Sequence, residues 1–334
     1  MPCVLVTGAT GFVGRRLCAE LMARGCAVRG TLLPGEKAES LIEGVRPAPI
    51  EPMGPETAWA EALHGVETLV HLAARVHVMR ETAEDPLKEF RRTNTEGTLR
   101  LARECARAGV RRLVFMSTIG VNGDESGNLP FTEISPVHPH NNYSISKLEA
   151  ERGLAEVARE TGLEAVILRA PLVYGPGTPG NFFTLLKAVQ KGLPLPLASV
   201  DNRRSLLYVG NLAHALMTAA SHPKAAGELY LVSDGEDVST PSLIRTLAEG
   251  MEKKARLLPF PTSLLRLVGE AAGRGGAVRS LVASLQVDSG RIRQELDWQP
   301  IVGAREALLQ TARWHAKEQI DLGDCLVEGR AWRR

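Results

Sequence analysis

Residues 7–14 read "TGATGFVG", three glycines at every third position directly after the apolar run "CVLV". "CVLV" has the composition of a buried strand. "RRLCAELMARG" then has helical spacing, with Val13, Leu17 and Leu21 on one face and Gly25 as the stop signal. "AVRGTLL" returns to an apolar β pattern. Strand, glycine turn, helix and strand make a unit that crosses over right-handed into a parallel sheet. In such a unit Gly8 permits the tight turn, Gly11 lets the backbone approach a pyrophosphate, and Gly14 lets helix and strand pack closely. The free N–H groups at the helix start face the phosphates. The flanking strand and helix separate this motif from glycines of an ordinary turn.

The alternation continues outward. "TLVHLAA" reads as a strand, "EFRRTNTEGTLRLARECARAG" as a long amphipathic helix closed by Gly109, and "RRLVFMST" as a strand. "YSISKLEAERGLAEVARETG" reads as a helix ending at Gly162, and "EAVILRA" as a strand. Strands alternating with helices of this length predict an α/β fold with a doubly wound parallel sheet. After Pro171 the rhythm degrades into Gly- and Pro-rich stretches such as "YGPGTPGN" and "KGLPLPLA". A cofactor domain over 1–171, with a later contribution around 205–235, and a smaller, partly interleaved substrate domain over 172–334 are therefore expected. In the second part "STPSLIRTLAEGM" reads as a helix capped by Ser239 or Thr240, with Pro241 in its first turn.

The bulk numbers bound the function. Forty basic residues against 38 acidic give a net charge of +2 in 334 residues, which makes no case for a nucleic-acid partner. Five scattered cysteines without CxxC spacing read as reduced thiols, not as disulfides or a metal site. No apolar stretch reaches membrane-spanning length, and no signal peptide fits ahead of a strand starting at Cys3. A soluble, cytoplasmic protein is expected. "FPTSLLRLVGEAAG" (260–273) could touch a membrane but reads first as a core-facing helix.

Ligands of open α/β sheets bind at the carboxyl ends of the strands. There "YSISK" puts Tyr143 and Lys147 four apart on one helical face. A tyrosine normally titrates near about 10, and a neighbouring ammonium favours the phenolate, so the pair is suited to proton transfer. Thr118 ends the strand upstream, where its hydroxyl can meet both the tyrosine and a substrate oxygen.

In this order "TGATGFVG", "HLAA", "NTEGT", "ST…VNG", "YSISK" and "RAPLVYGPG" resemble the extended short-chain dehydrogenases/reductases, the NAD-dependent nucleotide-sugar epimerases, dehydratases and reductases of Rossmann type. The GxxGxxG spacing fits that group, and the match runs from Val4 to about Trp314. "ARVHVMRE" and "DNRRSL" look most like its reductases of UDP-4-keto-6-deoxy-N-acetylhexosamines. The resemblance implies that Tyr143 is the acid/base, that Lys147 orients the ribose, and that Thr118, with Ser117 as a possible sharer, bonds the reacting oxygen. Phe12 and Val13 join the glycines at the cofactor. Leu72, Ala73 and Ala74 line its passage, and Asn94 lies beside the nicotinamide half, a role compatible with a helix N-cap. Beside them His71 reads as a strand-core residue. Asn181, Phe182 and Arg204, with Arg279 as a second cation, are expected at the diphosphate and uridine of a UDP-sugar.

Departures from the family pattern bear on specificity. Asn122 replaces an aromatic residue, Leu172 an asparagine near the diphosphate, and Pro52 an aspartate at the adenine. Leu32 and Leu33 stand where an acid would select NAD or an arginine NADP. NAD is expected, because Lys37 alone offers a nearby cation, and NADP stays open. The implied activity is hydride transfer at C4 of a UDP-hexose or UDP-N-acetylhexosamine, by a 4-epimerase or by a 4-keto reductase without epimerase activity. Dehydration needs an acid–base pair beside Thr118 that Ile119 and Gly120 do not supply. A non-enzymatic dinucleotide sensor is the alternative of another class, and Tyr143, Lys147 and Thr118 argue against it. A lipid-linked sugar is a further alternative, and a homodimer paired through the helices around Asn94 and Tyr143 is expected.

Overall fold

The structure, a computed structural model, describes residues 3–76, 83–273 and 275–327. Most of "ARVHVMRE", from residue 77 on, lies outside the described residues. The apolar runs form strands β1 (Cys3–Thr7), β2 (Ala27–Leu32), β3 (Arg46–Pro49), β4 (Thr68–His71), β5 (Arg112–Thr118), β6 (Glu164–Ala170), β7 (Val173–Tyr174), β8 (Leu207–Tyr208) and β9 (Leu229–Leu231). Seven of them make one sheet in the order β3-β2-β1-β4-β5-β6-β9, parallel at every neighbouring pair. The order reverses between β1 and β4, so a crevice opens there at the carboxyl ends of the strands. The remaining two, β7 and β8, pair in a small parallel sheet.

Helices α1 (Phe12–Ala23), α2 (Ala60–Leu63), α3 (Pro86–Phe90), α4 (Gly97–Arg107) and α5 (Asn142–Thr161) connect the first six strands. The rest are α6 (Gly180–Gln190), α7 (Val209–Ser221), α8 (Thr240–Gly250), α9 (Thr262–Ala271), α10 (Gly275–Val282), α11 (Gly290–Leu296) and α12 (Ala304–Val327). Alternation along each strand divides the core. Val4 and Val6 face Leu17, Leu21, Leu212 and Leu216 of α1 and α7. Leu5, Leu113 and Phe115 face Leu101, Leu154 and Val157 of α4 and α5. After Pro171 a third core gathers Tyr174, Phe182, Leu186, Leu247 and Leu308. The chain then returns to the first layer, since α7 covers the sheet and β9 pairs with β6.

Local signals set the ends of several elements. The Ser239 hydroxyl accepts from the Ser242 N–H at 3.2 Å and caps α8. Asn94 is not an N-cap: its helix begins at Pro86 and is capped by Asp85, which accepts from the Lys88 N–H at 3.1 Å. Between α3 and α4, residues Arg91–Glu96 form a π-helical turn that carries Asn94, a local widening found most often at functional sites. The stretch 260–273 faces the core only in part: Leu265 packs against the third core, while Leu264, Leu267 and Val268 are exposed. Of α9 only Gly269 is fully buried, and among the described residues no element covers the face of Leu264, Leu267 and Val268.

Candidate active site

The glycine turn is held by close contacts. Gly8 has φ +68°, and a Cβ there would lie 3.1 Å from the Ala73 nitrogen. A Cβ at Gly14 would sit 2.1 Å from the Gly8 carbonyl oxygen, so any side chain would push α1 off β1. Gly11 caps α1 without a side-chain acceptor, which leaves the first-turn N–H groups, at Phe12 and Val13, open to an anion. This cradle, which side chains would fill, fits the pyrophosphate of a dinucleotide.

Across the crevice the end of β4 is fixed from beneath. The Thr7 Oγ1 accepts from the Leu72 and Ala73 N–H groups, both at 3.1 Å, and so donates to His71 Nδ1 at 2.7 Å. His71 Nε2 then donates to Thr98 Oγ1 at 3.0 Å. Burial, and secondarily the charge of Lys147, push His71 down to about 3, so it is a neutral core residue. Asn94, also buried, accepts from the Arg75 N–H at 2.8 Å and donates to the Arg75 carbonyl and to Ser146 Oγ, both at 3.0 Å. It clamps the loop after β4, just beyond Ala74, to the helix that carries Tyr143.

A capping box starts α5. The Asn141 side chain accepts from the Ser144 N–H at 2.8 Å, and the Ser144 hydroxyl accepts from the Asn141 N–H at 3.2 Å. The first turn, with Tyr143, is thereby fixed, and Lys147 lies one turn further on. The Lys147 Nζ donates to the Met116 carbonyl at 2.9 Å and lies 4.2 Å from the centre of the Phe115 ring and 5.9 Å from that of Tyr143. Burial pushes Lys147 down to about 7, against the opposing pull of Glu151. Burial also pushes the Tyr143 phenol up to about 12. The expected lowering of the tyrosine by the ammonium is therefore not seen in the protein alone, because desolvation outweighs it.

Thr118 ends β5, and its Oγ1 accepts from the Gly120 N–H at 3.1 Å, which leaves its own proton for a ligand. Ser117 points the other way. Its hydroxyl donates to Glu151, in a buried network where Arg169 Nη2 meets Glu151 Oε2 at 2.6 Å and Arg169 Nη1 meets Asn122 Oδ1 at 3.0 Å. Asn122, the substitute for an aromatic residue, thus anchors this ion pair.

Thr118, Tyr143, Leu172, Asn181, Arg204 and Arg279 open onto one cleft of about 500 Å³. Arg204 is half-buried, its guanidinium held by the Ala283 carbonyl at 3.0 Å. Desolvation depresses its pKa, opposed by Glu125. Arg279 is exposed and bridges Asp124 and Glu270, each at 3.4 Å. The Phe182 ring is committed to the third core, stacked on Tyr174 at 5.4 Å between centroids, so only its neighbour Asn181 reaches the cleft. Among the described residues no group of acidic, histidine and cysteine side chains could hold a metal.

Three cleft or rim residues escaped the sequence reading. His140 and Asp124 line the cleft. Glu36 folds back to the glycine turn, where it accepts from Thr10 Oγ1 at 2.8 Å and from the Leu33 N–H at 2.7 Å. The Pro34–Gly35 turn that returns it was the available signal.

Comparison with known proteins places the chain in a family. Residues 4–233 match the NAD dependent epimerase/dehydratase family. A UDP-glucose 4-epimerase of Vibrio cholerae is 38% identical, over 93% of this chain and 94% of its own. An Escherichia coli O157:H7 protein described as an N-acetyl-α-D-glucosaminyl-diphospho-ditrans,octacis-undecaprenol 4-epimerase is 27% identical, over 86% of this chain and 88% of its own. The UDP-glucose 4-epimerase of Thermotoga maritima, solved with UDP-glucose, superposes with a TM-score of 0.76 at 25% identity, covering 95% of this chain and 99% of that one. The chain therefore belongs to the NAD dependent epimerase/dehydratase family and is an enzyme that uses NAD.

Proposed function

We propose that the enzyme is a 4-epimerase/4-ketoreductase acting at C4 of a UDP-hexose or UDP-N-acetylhexosamine. The observation that carries this reading is one cleft lined both by Thr118 and Tyr143, the groups suited to proton transfer, and by the half-buried Arg204. In it the Tyr143 Oη takes the proton of the C4 hydroxyl as that carbon becomes a ketone, and returns it on reduction. The Thr118 hydroxyl donates to the same oxygen, since one of its lone pairs already serves the Gly120 N–H. Arg204, whose planar fork suits phosphate oxygens, holds the diphosphate, with Asn181 and Arg279 beside it. Bound NAD supplies the hydride acceptor and donor and, when oxidised, a positive ring charge that favours the phenolate.

Dehydration is disfavoured, because Ile119 is buried and Gly120 has no side chain, so neither gives Thr118 an acid–base partner. Epimerase and reductase differ in cofactor stoichiometry. Incubation with a panel of UDP-sugars should interconvert UDP-glucose and UDP-galactose, or their N-acetyl forms, with no net change in reduced-nicotinamide absorbance. Consumption of one reduced cofactor per keto-sugar, with those UDP-sugars untouched, would identify the reductase. In either case Tyr143→Phe should lower kcat by about 10²–10⁴ with NAD affinity retained; activity within about tenfold of the unaltered enzyme would remove Tyr143 from the mechanism. The α4 and α5 helices lie side by side, with Leu99 against Gly153, and we infer that this pair meets its copy in a homodimer.

A further inference from the structure

The α9 helix turns a row of apolar side chains to solvent. Leu264, Leu267 and Val268 are 42, 66 and 54% exposed, and Leu258 in the connection before the helix is 50% exposed. Spacings of three and four put the helical three on one face. Exposed apolar residues scattered singly need no explanation, but a contiguous row marks a contact surface. The opposite side of α9 is fixed on α10 through Gly269, where a Cβ would lie 2.6 Å from Val278 Cγ2.

Charge indicates what this face meets. Between the exposed Glu252 and Glu270 the chain carries four exposed cations, Lys253, Lys254, Arg256 and Arg266, and Glu270 at the far end of α9 is engaged by Arg279 at 3.4 Å. Arg266 lies 3.8 Å from Glu125, an exposed pair that solvent screens. An apolar helical face preceded in sequence by a cation-rich connection is complementary to an anionic bilayer, with leucines at the acyl boundary and lysines at the phosphates. A second copy of this chain seated on the same face would set these cations against their own like charges. Position adds to this: α10, on which α9 lies, presents Gly276, Ala277, Arg279 and Ser280 to the cleft. The exposed face is therefore the outer layer of the cleft's own wall.

We propose that α9 is a peripheral membrane contact that holds the cleft against an anionic lipid surface. Resting on the reading of the cleft as a sugar-diphosphate site, this gives it access to sugar diphosphates esterified to a membrane-resident isoprenoid alcohol.

The test is co-sedimentation of the full chain, loaded with NAD, with phosphatidylglycerol-containing vesicles and with neutral phosphatidylcholine vesicles. Binding to the anionic vesicles that weakens with salt is expected. The triple variant Leu264→Gln, Leu267→Gln, Val268→Gln should lose it by more than about tenfold, and Lys253→Gln with Lys254→Gln should weaken it. Unchanged NAD affinity certifies that the variants are folded. No binding of the unaltered chain, or equal binding by the triple variant, overturns the proposal. So does a triple variant that changes oligomeric mass in light scattering without any vesicle binding, since the face would then belong to a second copy. Failure here leaves turnover of UDP-sugars intact, whereas failure of the C4 reading leaves vesicle binding intact.

Discussion

At the rim of the glycine turn, the Thr10 hydroxyl and the Leu33 N–H occupy two of the acceptor positions of Glu36. A carboxylate has about four, so two are left for the vicinal hydroxyls of a ribose, and a 2′-phosphate would meet its negative charge. Glu36→Gln should weaken NAD binding by roughly tenfold or more and narrow the preference over NADP, as read by calorimetry with both dinucleotides. This residue was not legible in the sequence, where the acid was sought at Leu32 and Leu33 and not one turn later. The placement of Tyr143 and Lys147 on one helix and of Thr118 at the end of a strand was legible, because a four-residue spacing and a strand's last residue fix position without tertiary knowledge. The directions of Ser117 and Phe182 were not, since neighbouring networks and cores decide them. Lys147 carries a pH signature. Its pKa is about 7 in the fold and about 10.4 unfolded, so between those values the unfolded chain binds more protons. Stability of the cofactor-free protein should therefore rise with pH across that window. Lys147→Met should flatten the rise and increase the melting temperature near neutral pH by a few degrees or more, in thermal melts at several pH values.

Among the elements, α5 does most to assemble the site, since one helix carries Tyr143, Lys147 and, a turn further, Glu151. The Glu151–Arg169 pair ties this helix to β6, with Ser117 of β5 and Asn122 attached. Removing one partner leaves a buried charge uncompensated. Glu151→Ala should cost about 3–5 kcal/mol in denaturant unfolding, more than a surface pair such as Arg91–Glu149, for which about 0–1 is usual. The helix itself was legible from its periodicity and from Gly162, which ends it at φ +78°. The π turn before α4 was not, because an extra residue per turn leaves the apolar spacing of a long helix almost unchanged. Nor was the exposure of α9. Its pattern is amphipathic, and amphipathicity says that one face seeks cover without saying what supplies it.

On the scale of the molecule, the parallel sheet was readable because each strand is an apolar run followed by a helix of crossover length. Its seventh strand was harder to see. β9 is three residues long and arrives only after α6, β8 and α7, and it owes its place to pairing with β6 in register Ile167↔Leu229 to Arg169↔Leu231. That late return has a consequence for how the chain is made. During synthesis the first six strands leave the ribosome well before residues 209–231. Until then β6 presents an open edge, and Val114, Val166 and Leu168 lack the cover of Leu212 and Leu216. Unpaired edges and bare apolar faces are what chaperones hold and what aggregation recruits. The nascent polypeptide therefore passes through an interval in which its cofactor half is nearly complete yet unsealed, and the sheet gains its last strand only once Leu231 has been translated.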